Sequence, residues 1–284
     1  MELCYNYFRG EYKYMDNRGI GVFDSGFGGL TVVKEIKKVL PGEKIYYFGD
    51  TARLPYGSKS KENIIHYSLE IAEFLKTKDI KALVVACNTA SAFALDELKK
   101  HCSFPVIGVI EAGSRRALGI TKNGKVGIIG TKGTVSSGVY DRSLSKGRKG
   151  IEVYSKPCPL FVPLVEEGMV QDEVTEIMID RYLREFKNKV DSLIMGCTHY
   201  PLLEDEIKRY FEKYELEVVN PAVETALELE KLLAEKAILS KKSNGEIEFY
   251  VSDSPNHFKE LGEMFLGEKI DRVEKINIED YWRG

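Results

Sequence analysis

No apolar run in this chain of 284 residues reaches the roughly 18 residues that a membrane-spanning helix needs, so no membrane is expected as a partner. There is no basic tract or stripe. Lysine and arginine (41) are offset by aspartate and glutamate (44), for a formal charge of −3. The electrostatic footprint of a nucleic-acid binder is therefore missing. The candidate metal ligands His66, His101 and Cys158 show neither C-x-x-C nor H-x-x-x-H spacing, and no metal is expected. The absent C-x-x-C also removes the local signature of a dithiol redox module. The first 14 residues are aromatic and charged, without the apolar stretch of a secretory signal. A cytoplasmic, reducing compartment is expected. The five cysteines, Cys4, Cys87, Cys102, Cys158 and Cys197, are then expected as free thiols.

What is present is a globular composition, 43% apolar and 30% charged, on a chain long enough for two domains of ordinary size. The pattern of a fold begins near Gly19. Residues 1–15 read as an extension ahead of it, either a flexible leader or the product of an upstream start, with a second methionine, Met15, at its end.

From there, strand-like apolar runs alternate with helix-period segments, which predicts parallel α/β architecture. Strands are expected at 19–24, 44–49, 82–87 and 106–110. Helices are expected at 30–40, at 64–75 (where Ile64, Ser68, Ile71, Ala72 and Leu75 share a face) and from Cys87 through Lys100. The pattern then restarts. Strands are expected at 125–130, 151–154, 192–196 and 217–219. Val174, Met178, Tyr182 and Phe186 predict one helical stripe, and another helix runs through Tyr214. After Asn220-Pro221-Ala222 come a long helix to about Leu239, a strand at 246–251 and a helix at 257–265. This tail does not belong to the second copy and is expected to return to the first domain. The expected organisation is two similar parallel-sheet α/β domains facing each other across a cleft, with boundaries 16–113 plus 223–284 and 114–222.

The two halves carry matched chemistry. Ala82-Leu83-Val84-Val85-Ala86-Cys87-Asn88-Thr89 and Ser192-Leu193-Ile194-Met195-Gly196-Cys197-Thr198-His199 each run an apolar strand into a cysteine. Asp24 and Cys87 are 63 positions apart, and Thr131 and Cys197 are 66 apart. Each half thus offers a loop after its first strand and a thiol after its third. Ligands of parallel sheets sit beyond the carboxyl ends of the strands, so both thiols are expected at one cleft. A free cysteine is most often a buried small hydrophobe, and that reading suffices for Cys4, Cys102 and Cys158. The matched context sets Cys87 and Cys197 apart.

Asp24-Ser25-Gly26-Phe27-Gly28-Gly29 turns from a strand into a helix, but the third glycine of a dinucleotide fingerprint is out of place. Gly127-Ile128-Ile129-Gly130-Thr131-Lys132 does not match a P-loop. A carboxylate ligand suits these turns better than a nucleotide.

Two thiols across a small cleft suit proton transfer at a stereogenic carbon, with a base on one face and an acid on the other. A thiol, with an ordinary pKa of about 8.5, can serve in either form near neutrality. Hydrogen bonds to the substrate carboxylate would stabilise developing carbanion character. Asn88, Thr89 and Thr198 are placed as donors, and Asp24 and His199 as groups that accept or relay thiol protons. No cofactor is expected. In particular, no lysine stands at an equivalent strand end to hold pyridoxal phosphate.

Several motifs together resemble those of bacterial glutamate racemase. They are Gly21-Val22-Phe23-Asp24-Ser25-Gly26-Phe27-Gly28-Gly29-Leu30, Gly49-Asp50-Thr51-Ala52-Arg53-Leu54-Pro55-Tyr56-Gly57 and Ala86-Cys87-Asn88-Thr89-Ala90-Ser91. To these add Gly130-Thr131 with Thr134, Pro163-Leu164-Val165-Glu166 and Gly196-Cys197-Thr198-His199-Tyr200-Pro201. The resemblance implies a cofactor-independent enzyme that supplies D-glutamate for peptidoglycan, folded as two α/β domains with the site between them. It implies catalytic cysteines at Cys87 and Cys197, assisted by Asp24, Glu166 and His199. It implies substrate contacts at Asp24, Ser25, Pro55, Tyr56, Gly57, Asn88, Thr89, Thr131, Thr134, Thr198 and His199. Glu167 follows Glu166, and the resemblance alone chooses between them. A homodimer is implied in the same way. Two alternatives stand beside this reading. An aspartate racemase would need a pocket shorter by one methylene, a difference of only about 1–3 kcal/mol. A thiol redox module would form a reversible Cys87–Cys197 disulfide. Closure of the cleft would require hinges, for which Gly113 and the segment around Asn220-Pro221 are candidates.

Overall fold

Two parallel sheets organise the chain, and their central strands read as nearly continuous apolar runs. The structure, a computed structural model, describes residues 16–281; the leading stretch 1–15 and Cys4 lie outside them. In chain order the elements are β1 (Ile20–Asp24), α1 (Leu30–Val39), β2 (Ile45–Gly49), α2 (Lys61–Lys76), β3 (Ala82–Val85), α3 (Asn88–Phe93), α4 (Leu95–His101), β4 (Val106–Gly108) and α5 (Val109–Ile120). There follow β5 (Lys125–Gly130), α6 (Lys132–Ser136), α7 (Val139–Gly147), β6 (Glu152–Pro157), α8 (Phe161–Glu166), α9 (Glu173–Leu183), β7 (Ser192–Gly196), α10 (Glu204–Tyr210) and β8 (Glu217–Val219). The tail holds α11 (Pro221–Glu235), β9 (Ile247–Val251), α12 (Pro255–Leu266) and β10 (Val273–Lys275).

The first sheet has the order β10-β9-β2-β1-β3-β4 and the second β6-β5-β7-β8, with every pair parallel. The runs β2-β1-β3-β4 and β6-β5-β7-β8 share one topology: second, first, third, fourth. That repeated winding is the physical form of the expected two-fold α/β pattern. β1, β3 and β7 are buried along their whole length, as central parallel strands covered by helices on both faces must be. The tail joins the first sheet: β9 pairs with β2, from Ile45 opposite Ile247 to Gly49 opposite Val251.

A buried ion pair ties the returning tail down. Lys81, just before β3, has no exposed side-chain surface; its Nζ lies 2.6 Å from Glu43 and donates to the Asp16 and Ile238 carbonyls at 2.8 and 2.7 Å. Glu43 in turn accepts the Ser240 N–H at 2.7 Å.

Some boundaries differ from the expectations. The apolar run 106–110 is not all strand: Gly108 ends β4, and Val109 and Ile110 open α5. A short apolar run does not distinguish the two states. The helix expected from Cys87 through Lys100 is divided at Ala94 into α3 and α4. Val174 is 46% exposed, while Met178 and Phe186 of the same expected stripe are buried. α10 stops at Tyr210 and α11 at Glu235. The edge strand β10, Val273-Glu274-Lys275, carries too much charge to signal a strand. Gly113 is not in a loop. It lies within α5, where an added Cβ would meet the Pro221 ring at 3.1 Å.

Candidate active site

The carboxyl ends of β1 and β3 from one sheet, and of β5 and β7 from the other, meet at one narrow, nearly closed cavity. Both Cys87 and Cys197 line it, each less than a tenth exposed. Larger clefts elsewhere on the surface bring neither thiol to their walls.

Cys87 follows β3 and caps α3: its Sγ accepts the Ala90 N–H at 3.5 Å, and its S–H points to Ser25 Oγ at 3.8 Å. Amides at a helix start favour a thiolate. Burial outweighs them, and with the neighbouring Asp24 charge it pushes the thiol up to about 12. Burial raises Cys197 still further, opposed by a backbone hydrogen bond from His199. Both thiols are therefore protonated in the free protein at neutral pH.

Cys197 follows β7 as Cys87 follows β3. Its Sγ lies 3.9 Å from His199 Nδ1. His199 Nε2 is 2.9 Å from Glu166 Oε1, at the end of α8. A chain of contacts thus runs from a carboxylate through an imidazole to a thiol. Glu166, and not its neighbour Glu167, makes this contact. The Phe265 ring stands edge-on to the imidazole, with centroids 5.1 Å apart, and restricts its tilt.

Asp24 ends β1 without exposed surface. It accepts the Gly26 N–H at 3.0 Å and the Thr198 hydroxyl at 3.3 Å. Burial raises its pKa, partly opposed by the charge of His199 and these hydrogen bonds. Gly28 lets the two halves approach here. A Cβ on it would strike Thr198 Oγ1 and come within 2.6 Å of His199 Nδ1.

Hydroxyls close the cleft from the other side. Thr89 Oγ1 meets Thr131 Oγ1 at 2.9 Å and Thr134 Oγ1 at 3.2 Å. Thr131 also caps α6 by accepting the Thr134 N–H at 3.1 Å. Pro55, Tyr56 and Gly57 form one wall, entered through a cis Leu54–Pro55 bond. Gly57 packs so closely on Thr131 that a Cβ would lie 2.7 Å from Thr131 Cβ.

Of the residues expected at the site, Ser25, Pro55, Tyr56, Gly57, Cys87, Asn88, Thr89, Thr131, Cys197, Thr198 and His199 line the cavity. Asp24, Thr134 and Glu166 do not; each stands one hydrogen bond behind a residue that does. Leu54 and Val162 complete the wall and were not singled out from the sequence. Nor was Tyr140, whose hydroxyl donates to Asn88 Oδ1 at 2.7 Å. Leu54 lies inside a recognised motif, but nothing in the sequence marks Tyr140. Among the described residues, no cluster of three or more His, Cys, Asp or Glu is placed to hold a metal ion, and no helix is long and apolar enough to cross a membrane.

The family model described as Asp/Glu/Hydantoin racemase matches residues 20–229. The chain is 48% identical over 252 residues to the glutamate racemase of Aquifex aeolicus, covering 89% of this chain and 95% of that protein. It is 48% identical to that of Geobacter metallireducens, covering 92% and 97%. The crystal structure of glutamate racemase from Francisella tularensis in complex with D-glutamate superposes with a TM-score of 0.88 at 41% identity, over 94% of this chain and 100% of that one. With likeness of this extent in both sequence and fold, the chain belongs to the Asp/Glu racemase family, among the glutamate racemases.

Proposed function

We propose that the protein interconverts L- and D-glutamate by a two-base mechanism without a cofactor. The observation that carries this reading is the single cavity walled by both Cys87 and Cys197. Glutamate binds between the thiols with Cα in the middle. As substrate binds, one cysteine passes its proton to its neighbour, Asp24 for Cys87 or His199 for Cys197, and the resulting thiolate takes the Cα proton and becomes a thiol. The opposite thiol gives its proton to the other face of the carbanion and becomes the thiolate. Atoms and charge balance, and the next turnover in that direction begins once the protons are reset. The substrate ammonium supplies positive charge beside groups whose burial disfavours ionisation. Asn88, Thr89, Thr131 and Thr198, with the Ser25 hydroxyl and the 55–57 wall, hold the carboxylates and stabilise the charge that develops. Thr134 supports Thr89 and Thr131. Asp24 serves Cys87, and His199, held by Glu166, serves Cys197, each easing proton movement at its thiol.

The division into two domains, 16–113 with 223–284 and 114–222, belongs to the same proposal. So do a cytoplasmic location, a homodimer and the supply of D-glutamate for peptidoglycan. Circular dichroism of purified protein with L- or D-glutamate and no added cofactor tests the reading. Both enantiomers are expected to converge on a racemic mixture, with aspartate turned over far more slowly. Preferred turnover of aspartate supports an aspartate racemase instead. No loss of optical activity with either substrate removes the proposal.

A further inference from the structure

The mechanism leaves one fully buried carboxylate without a task. Asp50 follows β2 and has no exposed surface. Its Oδ2 accepts Arg53 Nε–H at 2.7 Å and the hydroxyl of Tyr56, a residue of the cavity wall. Its Oδ1 accepts the Ser252 hydroxyl at 2.8 Å. The Ser252 oxygen in turn accepts the Ala52 N–H at 2.8 Å. One residue further on, the Asp253 N–H donates to Thr51 Oγ1 at 2.9 Å. Residues 252–253 thus grip the segment 50–53, which leads directly into the wall 54–57.

Ser252 comes just after β9, more than twenty residues beyond the 20–229 match to the family model. Simple strand pairing does not account for these contacts. The register of β9 on β2 is already secured by backbone pairing through Gly49 and Val251, with the Ser252 N–H on the Gly49 carbonyl at 3.2 Å. The side-chain bonds run past the end of the sheet and into the substrate loop.

We propose that Ser252 is a positioning residue: acting through Asp50, it holds Tyr56, and with it the 54–57 wall, in the geometry that binds substrate. The inference rests on the glutamate racemase reading for its kinetic consequence but not for its structural one. Ser252→Ala strips Asp50 Oδ1 of its donor and the Ala52 N–H of its acceptor, loosening a wall that touches substrate and transition state alike. Losing such uniform binding raises KM and spares kcat.

The test compares the wild type, Ser252→Ala and Ser252→Thr, which keeps the hydroxyl. For Ser252→Ala, KM for glutamate is expected to rise roughly tenfold with kcat within about twofold, given the strength of hydrogen bonds to a charged group. Ser252→Thr is expected to stay near the wild type. Amide hydrogen exchange gives a readout independent of activity: amides from Tyr56 to Lys59 should exchange faster in Ser252→Ala while β1 and β3 keep their protection. An unchanged KM, even with a lowered Tm, overturns the proposal, as does unchanged exchange at 56–59. If the wild type does not racemise glutamate, the function proposal falls and the exchange arm still decides this one. If Ser252→Ala does not fold, Ser252→Cys, similar in size but a poorer hydrogen bonder, is held to the same outcomes.

Discussion

Burial of the Cys87 thiol makes a linkage between stability and pH that can be measured. In this protein the thiol moves from 9.0 to about 12. The folded state holds the proton more tightly than the unfolded state does. The stability this contributes is fully present below about pH 9, the unfolded value, and is lost as pH rises toward 12. At about 1.36 kcal/mol per unit, three units amount to a loss on the order of 4 kcal/mol. Ser replaces Cys87 with nearly the same shape and no titration in this range. The assay is urea unfolding at a series of pH values for the wild type and Cys87→Ser. Buried Tyr47, Tyr56, Tyr140 and Tyr200 also have raised pKa values, and they steepen the alkaline decline of both proteins. The difference between the two reports Cys87 together with its smaller repulsion of charge on Tyr47, Tyr56 and Cys197. Above about pH 9 the wild type should lose stability faster than the variant by roughly 1.4 kcal/mol per pH unit. Parallel curves would refute the reasoning. The same number bears on catalysis, because ionising Cys87 at pH 8 costs about 5 kcal/mol. A substrate ammonium about 4 Å away returns about 4 kcal/mol at an effective dielectric constant of 20. The α-carboxylate on the same carbon opposes this gain, so the hydrogen bonds that hold the carboxylates must supply the balance.

Two further outcomes are expected. Glu166→Gln should lower kcat by roughly 100-fold, in the range for a disturbed general acid–base group, whereas Glu167→Gln should behave as wild type; equal effects from the two would remove the assigned role of the Glu166–His199 contact. Lys81→Met leaves Glu43 buried without its partner and should cost about 3–5 kcal/mol, seen by calorimetry as a fall in Tm on the order of 10 °C, with KM at room temperature unchanged.

The two thiol-ending strands are legible in sequence because a buried parallel strand must be apolar throughout, and a cysteine at its end interrupts that run visibly. The repeated winding of the two sheets follows from the same periodicity. Contacts between distant positions leave no such mark. Tyr140 and Asn88 are 52 residues apart, and Ser252 and Asp50 are 202 apart; neither pair has a local pattern that would reveal it. Leu54 and Val162 look like ordinary apolar residues until the fold places them on the cavity wall. The turn from β4 into α5 at Gly108 was hidden because Val106–Ile110 suits a buried strand and a buried helix equally. The raised thiol pKa values depend on burial, which exists only once the sheets have met.

The central claim, that two thiols act on opposite faces of one substrate, is tested most directly by isotope exchange in D2O with the wild type, Cys87→Ala and Cys197→Ala. The wild type should place deuterium at Cα mainly in the product enantiomer, and neither variant should sustain racemisation. A single-cysteine variant that racemises glutamate at the wild-type rate would contradict the account.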